Sequence, residues 1–169
     1  MTTATASNSM QHLLFGFQFN LGHAETLVKD LTDEQMAQQP HGVVNHPAWT
    51  LGHLASAANM VAKQFGKEST FPTDWEDRFK TGGVPSGDAA TFPSKDRLLA
   101  ELKTQHERAT DAVANTDAAV FAQEFPDENT RKYFPTRGDF AAYLMGGHEG
   151  NHLGQIAAWR RAMGLPSAT

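Results

Sequence analysis

Apolar residues recur at spacings of three and four in separate stretches of this chain, and that period constrains the fold most, because only a helix lines such residues along one stripe. Leu14, Phe17, Leu21, Ala24, Val28 and Leu31 predict a helix over residues 11–31, with His12, Phe15, Phe19 and His23 on its other side. Pro47 suits the first turn of a second helix, which runs to Phe65 on Leu51, Leu54, Ala55, Ala58 and Val61. Ser94 is the expected N-cap of a third, with Leu98, Leu102, Ala109 and Val113 facing inward and an end at residues 115–117. A fourth is expected from Gly138 or Asp139 to Met163, stopped by Gly164 and Pro166. No stretch alternates as a strand does, so the fold class is all-α, a four-helix bundle. Long loops follow helix two (66–93, with a helical turn at 74–79) and helix three (117–137). Residues 10–166 read as a single domain and residues 1–9 as a disordered tail.

Composition narrows the function. The formal charge is −5, and Lys and Arg do not cluster, which argues against nucleic acid or an anionic membrane as partner. There is no cysteine, so disulfides, thiolate nucleophiles and Cys-ligated zinc are excluded, and a reducing cytoplasmic setting is the expectation. The opening MTTATASNSM lacks the basic and apolar regions of a signal peptide, and no run is long and apolar enough to span a bilayer.

Histidine carries the chemistry. On the fourth helix Ala141, Met145, His148, His152, Ile156, Trp159 and Met163 form one stripe with two histidines at its centre. Two imidazoles one turn apart on a buried face need partners, and a shared metal ion satisfies both; hydrogen bonds to core carbonyls or water are the plainer alternative. His53 lies opposite the main stripe of helix two, together with Trp49, Ala57 and Met60. That second apolar face implies a helix buried between neighbours, which lets His53 join the pair as a third ligand. His46 precedes Pro47 and reads as a cap or rim residue, His106 as a reserve ligand, and His12, His23 and His41 as solvated or interface residues.

The string HEGNH, residues 148–152, matches the H-E-x-x-H pattern of zinc proteases. Those enzymes need a further His or Glu ligand downstream, and no His, Asp or Glu follows His152. The protease reading therefore fails.

WTLGHLASA together with HEGNHLGQIAAWRRAMGLP resembles the DinB-like (YfiT-like) family of metal-dependent enzymes, with TFPSKDRLL and FPTRGDF supporting the likeness. The resemblance implies a bundle of up-down-down-up topology with His53, His148 and His152 as metal ligands. It implies an enzyme of hydrolase or low-molecular-weight-thiol S-transferase type, using a divalent metal to activate water or a thiol cosubstrate against a small electrophile. Zinc is the first expectation for all-imidazole ligation, with nickel or iron as alternatives. Glu149 is the candidate catalytic residue, as a proton relay or a support for a neighbouring ligand, against an inter-helix ion pair. Trp49, Met60, Gln155 and Trp159 are candidate pocket or supporting residues. The alternative is a non-catalytic, stress-related bundle that binds metal or a small molecule. The expected partners are a small-molecule substrate and, through Phe15 and Phe19, a second copy in a homodimer.

Overall fold

The computed structural model describes residues 3–168. Four long helices dominate: α1 (Thr3–Val28), α2 (Pro47–Gln64), α3 (Lys95–Ala114) and α4, which runs on from Arg137–Ala142 through a π-helical turn, Tyr143–His148, to Glu149–Ala162. Among the described residues there is no strand, only an isolated bridge between Glu124 and Thr136. α1 and α2 each pack against both α3 and α4, with α2 and α3 the most extensive pair.

The helix ends follow local chemistry. His46 caps α2, its Nδ1 accepting from the Trp49 amide at 3.3 Å, and Pro47 takes the first helical position, where no amide is needed. Ser94 caps α3 as expected. Thr136 and Asp139 form a reciprocal capping box, so α4 starts slightly upstream of its expected Gly138 or Asp139. Gly164, at φ +70°, ends it.

The expected turn at 74–79 exists as Thr73–Trp75 and Glu76–Phe79. Two features differ from expectation. α1 begins at Thr3, so residues 3–9, expected within a disordered tail, continue the helix; they carry no apolar period, which is why the sequence pattern starts later. Met1 and Thr2 of that tail lie outside the described residues. A short helix, Asp33–Met36, capped by Thr32 and Gln35, interrupts the polar segment after α1.

Leu51, Leu54, Ala55, Ala58 and Val61 are buried as the main stripe of α2 required, and Trp49, His53 and Ala57 on its other side are buried too. α4 is tied to the end of α1 by Arg160, whose guanidinium donates to both oxygens of Asp30 at 2.6 and 2.8 Å and to the Leu27 carbonyl at 2.8 Å. The Arg160 hydrogen bond pulls the Asp30 carboxyl down to about 2. A carboxyl depressed on folding stabilises the fold above its unfolded pKa, and that contribution disappears as pH falls from roughly 4 toward the folded value. Asp30→Asn is therefore expected to lower the melting temperature at pH 7, by leaving the buried guanidinium without a counter-charge, and to flatten the loss of stability between about pH 4 and 2. Thermal melts across that range check it.

Candidate metal centre

The π-helical turn delivers His148 to the interior of the bundle and α4 continues regularly to His152, while α2 brings His53 from across the interface. One ring nitrogen from each histidine lies within 4.8 Å of the other two. His53 Nε2 and His148 Nε2 stand 3.2 Å apart, and the ring of His152 lies 4.8 Å from His53 and 4.6 Å from His148 between centroids.

Neighbouring groups decide which nitrogen of His53 and of His152 is free. His53 Nδ1 donates to the Phe79 carbonyl at 2.8 Å, and its ring stacks on Trp49 at 4.6 Å and 9°. That donation fixes the tautomer and leaves a lone pair on Nε2 facing His148. His152 Nδ1 donates to Gln155 Oε1 at 3.1 Å, and the same oxygen accepts from Asn45 Nδ2 at 3.1 Å, so Nε2 is again the free nitrogen. Two lone pairs aimed at one point, backed by donations from the far side of each ring, fit a soft-to-borderline divalent cation. Burial, reinforced by the neighbouring imidazoles, holds His148 and His152 down to about 4, and burial also lowers His53. All three are therefore neutral at physiological pH, the protonation state that a metal ligand requires.

The site opens on one side. A cleft of about 710 Å³ reaches His53 and His148, walled by Met60, Phe79, Phe140 and Tyr143 among others. A cation on three imidazoles keeps at least one coordination position free, and the cleft gives that position a route to solvent.

The other candidates sort by position. Trp49 is buried against His53, with its indole donating to the Arg78 carbonyl at 3.0 Å. Met60 lines the cleft, and Gln155 holds His152. Trp159 does not reach the pocket: it is fully buried, with its indole donating to the Gln38 carbonyl at 2.7 Å. The cleft runs along the first half of α4, at Phe140, Tyr143, Leu144 and His148, and a residue two turns past His152 has left it. Glu149 faces the bundle interior, where Oε1 pairs with His106 Nε2 at 2.6 Å, and it does not line the cleft. His106 is thereby committed to Glu149 and to a 3.7 Å stack on Phe17, away from the three-histidine group.

Sequence reasoning missed Asn45, the Phe79 carbonyl and Tyr143. A backbone carbonyl leaves no residue signature, and Asn45 lies 110 positions from Gln155. Tyr143 sits about 140° from His148 on a regular helix, and only the π-turn brings their rings to 5.8 Å.

A family model described as the DinB superfamily matches residues 17–156, a span that includes all three histidines. This chain belongs to the DinB superfamily. A search of curated proteins returned no match. Within this DinB-superfamily chain, the second layer around His152 makes a direct prediction: Gln155→Leu removes the acceptor for Nδ1, frees the ring to rotate, and is expected to weaken metal binding by roughly 10- to 100-fold with little change in fold. Competition with a chromogenic chelator measures it; unchanged affinity contradicts the role given to Gln155.

Proposed function

We propose that this protein is a metal-dependent enzyme of hydrolase or thiol S-transferase type, acting on a small electrophilic molecule with water or a low-molecular-weight thiol as cosubstrate. The observation that carries the reading is the convergence of three neutral imidazoles, two of which line an open cleft. Zinc is the proposed metal, with nickel and iron as the alternatives that imidazole ligation also accepts. Such an ion supplies Lewis acidity that makes water or a thiol nucleophilic at neutral pH.

The chain's own residues supply the rest. Phe79 and Trp49 hold His53, and Gln155 with Asn45 holds His152, so these two ligands are preorganised before anything binds. The apolar side chains on the cleft walls, Met60, Phe79, Phe140 and Tyr143 among them, offer surface against which the electrophile is oriented. Because the chain contains no cysteine, sulfur chemistry would depend on a thiol that arrives from solution.

A cleft that reaches two of the three ligands favours an enzyme over a bundle in which metal only reinforces the fold. The cobalt-substituted protein separates the two: a small thiol added to it is expected to change the visible absorption spectrum in a saturable way. A spectrum indifferent to thiol, azide and hydroxamate would mean closed coordination and a non-catalytic binder.

The proposed assembly is a homodimer through α1, where Phe15 and Phe19 are exposed beside a groove of about 400 Å³ shared with Met145 and Gly146. Sedimentation at micromolar concentration is expected to show a dimer that Phe15→Ser/Phe19→Ser converts to monomer; a wild-type monomer would remove this part of the proposal.

A further inference from the structure

The walls of the cleft carry information about what enters it. Its volume of about 710 Å³ lies within the usual span for small-molecule pockets. One wall is a run of touching rings: Phe140 meets Phe134 at 5.6 Å, Phe134 meets Tyr143 at 5.0 Å, and Tyr143 lies 5.8 Å from the ring of His148. The run therefore leads to the metal centre. Large hydrophobic side chains left exposed also gather here, since Met60, Tyr133 and Tyr143 all line the cleft and are 47%, 80% and 46% exposed. Apolar surface gathered round one opening marks a binding site, whereas single scattered residues need no explanation.

The π-turn strengthens the case. It ends on His148 and places Tyr143, its first residue, beside both His148 and Phe134. π-turns inside α-helices cost regular hydrogen bonding and occur often at functional sites. The charged residues on the cleft are Lys63, Glu76 and Lys80, all exposed, and Lys80 is engaged by Asp77 at 3.0 Å. They are mixed in sign, so they select no net charge.

We propose that the cleft holds an aromatic ring system, the body of the electrophilic substrate, against Tyr143 and Phe134, with the reactive end directed at His53 and His148. Rings in such a pocket gain offset or edge contacts as well as burial. The inference rests on the catalytic reading of the three-histidine site, to which it adds a substrate class.

The test uses two probes with the same metal-binding head and the same chain, 4-phenylbutanohydroxamate and butanohydroxamate, titrated by calorimetry into the zinc-loaded, tag-free protein. The phenyl-bearing compound is expected to bind roughly tenfold tighter or more, from burial of its ring. Met60→Ser/Tyr143→Ser should remove most of that gain while leaving zinc content as it was. Phe15→Ser, in the other groove, should change neither. Equal affinity for the two compounds, or a gain that survives in the double variant, overturns the inference and leaves the metal site standing. If the protein holds no zinc, the catalytic reading falls, and 4-phenylbutanamide with metal-free protein decides the cleft: binding lost in the double variant supports an aromatic site, and no binding overturns it.

Discussion

Glu149→Ala is expected to destabilise the protein by about 3–5 kcal/mol, the cost of removing one partner from a buried pair and leaving the other desolvated. Glu149 and His106 are both almost fully buried, their contact is 2.6 Å, and it joins α4 to α3 through the interior of the bundle. Burial raises the pKa of Glu149, which opposes the charged form, so the carboxyl depends on His106 for its place in the core. His106→Ala should cost a similar amount. The informative variant is His106→Leu/Glu149→Leu, which replaces both polar groups with apolar ones and should be less destabilised than either single change. In a chain of this length the single variants should melt roughly 10 °C lower. A double-mutant cycle of Glu149→Leu, His106→Leu and the double variant, followed by denaturant unfolding, checks the coupling, and purely additive losses would contradict it.

Gly52→Ala is the second large effect. A β-carbon at Gly52 would lie 2.3–2.5 Å from three ring atoms of Phe79, which is itself fully buried. No real contact is that short, so the Phe79 ring must move, and as it is fully buried it strains the segment that carries it. The overpacking is expected to cost on the order of 2–3 kcal/mol. The consequence for function is larger than the number implies, because the Phe79 carbonyl is the acceptor that orients His53. Metal affinity should fall by about tenfold or more together with stability. Gly154→Ala is the control: it lies near His152 on α4, its added carbon meets nothing within 4 Å, and it should be neutral or slightly stabilising. Retained metal affinity in Gly52→Ala would show that displacing the Phe79 ring does not disturb the carbonyl that holds His53.

The long helices were legible in the sequence because each buries a stripe at helical period, and α2 additionally showed the second apolar face that brings His53 inward. The three histidines were legible for the same reason: two shared a stripe one turn apart, and the third lay on a face that had to be covered. Glu149 was less so. At 100° per residue it sits beside the ligand axis, and nothing local says that His106, 43 positions away, waits for it across the core. Trp159 shared the stripe of His148 and His152, but a stripe states which side faces inward and not where along the helix a cavity ends. Tyr143 was hidden by the π-turn, since a single extra residue in the turn changes which side chains stand together. The supporting partners were half visible: Gln155 lies three residues past His152, whereas Asn45, from a loop, and the Phe79 carbonyl, at the end of a short helix, take positions that only the folded chain defines.

His53, His148 and His152 together are proposed to hold one metal ion. Plasma mass spectrometry on tag-free protein, with His53→Ala, His148→Ala and His152→Ala prepared in parallel and shown to be folded, tests it most directly. Close to one divalent ion per chain is expected in the wild type and only traces in each variant. A wild type that is folded without metal and takes up none when zinc, nickel or iron is supplied would contradict it.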